Sequence, residues 1–104
     1  MGTTKARMRI DEIIATLRQH LPELRQRYGV TYLGLFGSWV RGEQTPGSDL
    51  DVLVELDDRG LTLFDFLDLE EHLSQLLDVK VDLVERGTLK PHIGRHIAEE
   101  VQPV

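Results

Sequence analysis

The sequence predicts an α/β domain of the α+β kind, in which a small mixed sheet of about three strands is flanked by helices. Stretches with apolar residues every three or four positions, the period of an amphipathic helix, alternate with short stretches that have the residue types of β-strands. Turns rich in glycine, proline and aspartate separate these stretches. Because 104 residues is the length of one small domain, we expect a single domain over residues 1–104.

The first half of the chain predicts a helix, a strand and a short helix. One apolar face defines the first helix, over residues 7–28, and consists of Ile10, Ile13, Ile14, Leu17, Leu21 and Leu24. Pro22 lacks an amide donor and is expected to kink this helix or to start a new turn. Residues 30–36 are β-branched and aromatic, which favours a strand, and residues 38–42 are expected to form a short helix. A turn-rich loop over residues 43–48 follows.

The second half predicts two further strands and two helices. Residues 50–56 alternate between apolar and other side chains, which is typical of a half-buried strand. Residues 63–77 predict a helix whose expected core residues are Leu63, Phe66, Leu67, Leu73, Leu76 and Leu77. A third strand over residues 80–84 and a weaker final helix over residues 93–101 complete the prediction.

The composition excludes several classes of site and partner. The chain carries 12 Lys and Arg against 18 Asp and Glu, a net charge of −6, and it has no basic block, so strong nucleic-acid binding is not expected. The absence of cysteine excludes disulfides, thiolate zinc sites and cysteine nucleophiles. No apolar stretch has the length of a signal peptide or a membrane-spanning helix, so we expect a cytoplasmic protein without membrane contact.

Asp49 and Asp51 are the first candidate site residues. Side chains two positions apart on a strand point to the same face, so the two carboxylates are expected to lie side by side. Adjacent carboxylates repel each other unless a cation joins them, and an oxygen-only pair suits Mg²⁺. An Asp-x-Asp pair by itself is also common on solvated edges and in turns, so this assignment needs support from other residues.

Gly37 and Ser38 supply that support. A glycine at the end of a strand lets the backbone approach a ligand closely. A serine that opens a helix offers a hydroxyl group and backbone N–H groups to a phosphate. In isolation, the same two residues would be interpreted as a turn glycine and a helix cap. Together with the aspartate pair they indicate a site for a metal ion and a nucleotide.

The segment 37–51 resembles the active-site signature of the DNA polymerase β-like nucleotidyltransferase superfamily. That signature is Gly-Ser, ten residues, and then Asp-x-Asp, and here the ten residues are 39–48. The Arg41-Gly42 pair and the serine before the first aspartate are similar to the small bacterial and archaeal members. Over nearly its whole length the chain looks like the minimal nucleotidyltransferases (MNT), which are stand-alone domains of about this size.

The resemblance implies three catalytic carboxylates. Asp49 and Asp51 would bind Mg²⁺, and Asp82, in an apolar strand that is expected to be buried, would be the third carboxylate of the family. In a two-metal displacement, Asp82 would bind a second metal ion or accept the proton of the attacking hydroxyl group. The alternative for Asp82 is an ion pair with Lys80 or Arg41.

The resemblance also implies nucleotide-binding residues and a substrate. Gly37 and Ser38 would hold the β- or γ-phosphate of ATP, the expected substrate. Arg41 would steady the phosphates, although a salt bridge to an acidic neighbour explains an arginine at this position equally well. We leave Trp39 out of the site, because such a residue is more often packed in the core.

The resemblance further implies a biological role. Many minimal nucleotidyltransferases are encoded beside a helical HEPN protein, a toxic ribonuclease, and act as its antitoxin by transferring AMP to one of its tyrosines. We therefore expect a HEPN-family partner, and association of the chain as a hetero-complex or as a homo-oligomer. One alternative is a non-catalytic antitoxin that neutralises its partner by covering it, and another is nucleotidyl transfer to RNA or a small molecule.

A third alternative is that the chain is itself a ribonuclease. Arg86 and His92 are separated by five residues, which fits the Arg-x(4–6)-His motif of HEPN nucleases. That motif belongs on a helix of an all-helical bundle, whereas this span contains Gly87 and Pro91 and follows a predicted strand. The sequence therefore favours the nucleotidyltransferase interpretation.

Overall fold

A computed structural model of the chain describes residues 9–88, 95, 97 and 99–104. The elements that it delimits are, in chain order, α1 (Ile10–Tyr28), β1 (Val30–Phe36), α2 (Ser38–Arg41), β2 (Leu50–Leu56), α3 (Leu63–Leu77), β3 (Val81–Glu85) and β4 (Gln102–Pro103). A single 3₁₀ turn over Arg86–Thr88 follows β3. Helices flanking a mixed sheet confirm the predicted α+β class.

The strands form one sheet in the order β3-β2-β1-β4. β2 and β3 run parallel, joined by α3, and β1 runs antiparallel to both β2 and β4. A parallel pair needs a crossover of this kind, because a tight turn can join only antiparallel strands. The prediction of about three strands missed β4, since two residues, one of them a proline, carry no alternating pattern.

The core lies between one face of the sheet and the helices α1 and α3. On β2 the alternate residues Leu50, Val52 and Val54 are fully buried on this face, as the alternation predicts. The helices contribute Ile13, Leu17, Leu24, Leu69, Leu73 and Leu77. These helical residues recur at intervals of four or seven, which keeps them on the side of each helix that faces the sheet.

α1 is one helix although Pro22 lies within it. The proline is exposed and neither ends nor divides the helix. The helix ends at Tyr28 and is capped by Gly29, whose φ of 73° is the left-handed conformation of a C-terminal cap. The side chain of Arg59 donates to the carbonyl oxygen of Gln26 at 2.9 Å, so it satisfies a group that the last turn leaves unpaired.

α3 packs differently from its predicted core. Leu63 and Leu67 were expected to be buried, but they are 70% and 49% exposed, and Leu69 is fully buried instead. The buried residues of this helix, Leu69, Leu73 and Leu77, recur at intervals of four, and the two exposed leucines precede them in the chain. Phe64 is 84% exposed beside them. Leu63, Phe64 and Leu67 therefore form an exposed apolar surface, here called the α3 patch.

The C-terminal segment covers part of the second face of the sheet. Residues 95, 97, 99 and 100 are helical, and positions 93, 94, 96 and 98 of the predicted final helix lie outside the described residues. The side chain of Val101 packs against Gly34 so closely that a Cβ atom there would overlap it. Leu53, the register partner of Gly34, is only 2% exposed. This segment therefore covers the sheet around Gly34 and Leu53, on the same face as Asp51.

Within the described parts of the chain, no helix has the length and apolar character required to cross a membrane.

Candidate active site

The three candidate aspartates gather at the beginning of the two parallel strands. Asp51 and Asp82 are register partners on β2 and β3. Their side chains therefore leave the same face of the sheet, on strands about 4.8 Å apart. Asp49 lies one residue before β2 and completes the group. Asp82 is exposed, which corrects its expected setting in a buried strand: β3 is the edge of the sheet, and this side of it is open to solvent.

The electrostatics of this group favour a cation. Burial raises the pKa of Asp51 above its ordinary value, and repulsion from Asp82 and Asp49 raises it further. Arg41 acts in the opposite direction but does not cancel these effects. Because three negative charges meet in a partly desolvated place, a divalent cation there would relieve the repulsion.

Neither of the two ion pairs considered for Asp82 forms among the described residues. Lys80 instead lies 4.0 Å from Asp49, and it is 81% exposed, so this pair contributes little. Arg41 pairs with Glu43 and Glu100. In the described part of the chain, the carboxylate of Asp82 is therefore left for solvent or a ligand.

The turn at Gly37 brings the end of β1 against Asp51. Gly37 has φ 82° and ψ −157°, a conformation that is essentially restricted to glycine. A Cβ atom on Gly37 would overlap Oδ2 of Asp51, so the absence of a side chain permits this close approach. Ser38 is half-buried at the first position of α2, directly after the turn. The predicted glycine and serine thus lie beside the aspartates.

The loop between α2 and β2 is closed by its own hydrogen bonds. The Oγ atom of Ser48 accepts the backbone N–H of Thr45 at 2.8 Å, and the backbone N–H of Ser48 donates to the carbonyl oxygen of Thr45 at 2.9 Å. Serine is well suited to such a turn because its short hydroxyl reaches the nearby backbone. The serine before Asp49 therefore supports the loop that leads into the candidate site.

Arg41 is held by two carboxylates at the rim of the site. Its Nε donates to Glu43 at 2.8 Å, and one of its terminal nitrogens donates to Glu100. The alternative of a salt bridge to an acidic neighbour is therefore observed. Glu100 also accepts the backbone N–H of Gly37 at 3.0 Å. Glu100 is not among the predicted site residues, because it lies far along the chain from the motif and no local pattern connects the two.

Trp39 is packed in the core, 3% exposed, as expected for a residue outside the site. Arg86, the arginine of the ribonuclease alternative, donates to Glu55 at 2.8 Å from the 3₁₀ turn after β3, and it lies over the ring of Tyr32. His92 lies outside the described residues. The arginine that the nuclease motif requires is thus in a 3₁₀ turn after a strand, whereas that motif lies on a helix of an all-helical bundle.

The carboxylates of the candidate site suit a hard cation such as Mg²⁺ that is also bound by the phosphates of a substrate. Among the residues that the structure describes, no three His, Asp or Glu side chains converge closely enough to bind a metal ion unaided. Mg²⁺ does not require such a set, because it is usually held by one or two carboxylates together with phosphate oxygens and water. Asp51 and Asp82 supply two carboxylates on one face.

Comparison with known proteins identifies relatives over most of the chain. Residues 17–104 match the model of a family described as the nucleotidyltransferase domain. The chain is 43% identical over 96 residues to the protein adenylyltransferase MntA of Thermococcus cleftensis, which covers 92% of this chain and 96% of that relative.

Solved structures agree with the sequence relatives. A protein described as a minimal nucleotidyltransferase superposes with a TM-score of 0.72 at 36% identity, over 88% of this chain and 95% of that one. A chain from a toxin–antitoxin structure containing AMP-PNP superposes with a TM-score of 0.68 at 25% identity, over 83% of this chain and 69% of the other.

Proposed function

This chain belongs to the nucleotidyltransferase family, and on that basis we propose that it is an antitoxin that transfers AMP from ATP to a tyrosine of a HEPN-family ribonuclease. It is a nucleotidyltransferase, since the family model and the adenylyltransferase relative both cover most of its length. The observation that carries the proposed chemistry is the position of Asp82 opposite Asp51, beside the Gly37 turn. The same carboxylates are available for a metal ion and for an incoming hydroxyl group.

Nucleotidyl transfer depends on positioning and charge neutralisation, and the site residues would supply both. Asp49, Asp51 and Asp82 would hold Mg²⁺, which when bound neutralises charge on the triphosphate. The hydroxyl group of Ser38 would donate a hydrogen bond to the β- or γ-phosphate. The Gly37 turn would let the phosphates approach the backbone. Arg41 would face the same phosphates while Glu43 and Glu100 hold its guanidinium group in place.

In the proposed transfer step, Asp82 acts as the base. The tyrosine oxygen attacks the α-phosphorus of ATP and forms a new O–P bond, the bond from that phosphorus to the bridging oxygen breaks, and pyrophosphate leaves. The carboxylate of Asp82 accepts the tyrosine proton. Because Asp82 is exposed on an edge strand, none of the described elements would have to move aside for an acceptor on another protein to reach it.

A protein acceptor is supported by the surface of the chain. A net charge of −6 without a basic block is unfavourable for holding RNA. The α3 patch, by contrast, exposes Leu63, Phe64 and Leu67 next to one another. Contiguous exposed apolar side chains of this kind are typical of protein–protein contacts.

We expect Phe64→Ser to weaken binding of the HEPN partner by about tenfold, since it removes a large apolar side chain from the α3 patch. Affinity of the purified proteins by isothermal titration calorimetry would measure this effect. Phe64 is 84% exposed, so the variant should keep its fold and its nucleotide affinity. Glu71→Ala, at an exposed position on the same helix, serves as the control. Unchanged affinity in Phe64→Ser would mean that the partner binds elsewhere.

The proposed activity is tested with ATP labelled on the α-phosphate, Mg²⁺ and the HEPN protein encoded beside this chain. We expect label on a tyrosine of the HEPN protein and loss of its ribonuclease activity. Asp49→Ala should form the complex but transfer no label, and cells producing the toxin should not be rescued by it. Rescue by Asp49→Ala without any label would instead support the non-catalytic antitoxin. Label on RNA or a small molecule in place of the protein would support another acceptor.

A further inference from the structure

Glu100 bonds to two groups of the candidate site, the backbone of the Gly37 turn and the side chain of Arg41. Its carboxylate accepts the backbone N–H of Gly37 at 3.0 Å and pairs with the guanidinium group of Arg41. The side chain is only 16% exposed. One carboxylate thus restrains both the turn that leads into Ser38 and the cation at the rim of the site.

This position is electrostatically unfavourable for a carboxylate that has no positively charged or hydrogen-bonding partner. Glu100 adds a further negative charge near Asp51, and its repulsion contributes to the raised pKa of that residue. The charge of Arg41 and the N–H of Gly37 compensate it, because a partly buried carboxylate is stabilised by a paired cation and by donated hydrogen bonds. The arrangement is therefore one in which Glu100, Arg41 and the Gly37 turn hold each other.

The C-terminal segment is anchored to the sheet next to Glu100. The backbone N–H of Val101 donates to the carbonyl oxygen of Ile97 at 2.8 Å, and Val101 packs against Gly34 on the sheet. β4 then pairs with β1, beginning two residues after Glu100. The backbone that follows Glu100 is therefore held on the sheet, beside the groups to which the Glu100 side chain is bonded.

We propose that Glu100 is a positioning residue for the nucleotide, one that holds the Gly37–Ser38 turn and Arg41 in the geometry that receives the triphosphate. This proposal rests on the proposed function, because it takes the same turn and arginine as the nucleotide-binding groups. Two other roles would give different results. A purely structural clamp would affect stability alone, and an internal competitor for the phosphate position would weaken binding only while it is present.

The first experiment compares Glu100→Ala with Glu99→Ala. Both variants lose one negative charge from adjacent positions, but Glu99 is exposed and makes neither contact. Binding of AMP-PNP with Mg²⁺ is measured by isothermal titration calorimetry, with circular dichroism to confirm that each variant is folded at the working temperature. We expect Glu100→Ala to raise the dissociation constant about tenfold, as the loss of a charged hydrogen-bonding group does, and Glu99→Ala to change it less than twofold.

A second set of variants separates positioning from loss of structure. Glu100→Gln keeps an oxygen for the Gly37 N–H but removes the charge that pairs with Arg41, so its affinity should be intermediate. In an Arg41→Ala background, Glu100→Ala should have a smaller effect than in the wild type, because part of its influence acts through that arginine. Full additivity of the two substitutions would contradict positioning through Arg41.

The remaining outcomes are also decisive. If Glu100→Ala has a lower melting temperature but binds AMP-PNP as tightly as the wild type, Glu100 has only a structural role. Tighter binding in this variant would identify a competitor of the phosphates. Because binding is measured without an acceptor, a wild type that binds AMP-PNP yet labels no HEPN protein contradicts the proposed function and leaves this proposal standing. A wild type that does not bind the nucleotide would overturn both.

Discussion

Asp51→Asn should reduce nucleotidyl transfer about a thousandfold, the effect of about 4 kcal/mol on the transition state. The substitution keeps the size and hydrogen-bonding capacity of the side chain but removes the negative charge at the centre of the aspartate group. Asp49 and Asp82 alone would then hold the cation, one of them at the exposed edge of the sheet. Transfer of label from ATP to the HEPN protein, measured under single-turnover conditions, checks the prediction.

The same variant should be more stable than the wild type at neutral pH without a cation. The pKa of Asp51 is raised in the folded chain, so the folded state disfavours the ionised carboxylate. The resulting contribution to stability is present below the ordinary pKa and is lost as the pH rises through the raised one. An asparagine keeps this contribution at neutral pH. Urea unfolding should therefore give a larger free energy of unfolding for Asp51→Asn near pH 7, and a smaller difference in acid.

Asp58→Asn is the matched control for both measurements. Asp58 lies exposed in the turn after β2, away from the aspartate group, so the same chemical change should affect neither transfer nor stability appreciably. If Asp51→Asn retained more than a tenth of the wild-type transfer rate, Asp51 would not have the proposed role. If it were clearly less stable than Asp58→Asn, the repulsion inferred within the aspartate group would be wrong.

Gly37→Ala should distort the site and lower the free energy of unfolding by about 3 kcal/mol. Gly37 has φ 82° and ψ −157°, which an alanine adopts only with strain, and the new methyl group would overlap Oδ2 of Asp51. To make room, the carboxylate or the turn must move, and either movement displaces groups proposed to bind the metal ion or the nucleotide. We expect no measurable transfer at a temperature where the variant remains folded.

Gly42→Ala separates backbone strain from the overlap with Asp51. Gly42 also has a left-handed φ, 72°, but a Cβ atom there would have no neighbour within 4 Å. This variant should lose about 1 kcal/mol of stability and keep most of its activity. Denaturant unfolding and the transfer assay on both variants test the comparison. Equal losses of activity in the two would show that the close approach to Asp51 is unimportant.

Local patterns were sufficient for most of the elements. β1, β2 and α3 have the bounds that residue type and period predict, and the third strand is displaced by one residue. Helical period, strand alternation and turn chemistry depend on residues close together in the chain, so a short window contains the information. The spacing between Ser38 and the aspartate pair is likewise readable from the sequence, and it indicated the family.

The meeting of distant residues required the folded chain. The register of β2 against β3 sets Asp82 opposite Asp51 on an open edge, and the C-terminal segment carries Glu100 to Gly37. Packing of α3 onto the sheet buries Leu69 and leaves the α3 patch exposed, although its leucines have similar local surroundings in the sequence. The physical reason is the same in each case: pairing register and side-chain burial are set by contacts between segments far apart in the chain, and local propensity is too weak to determine them.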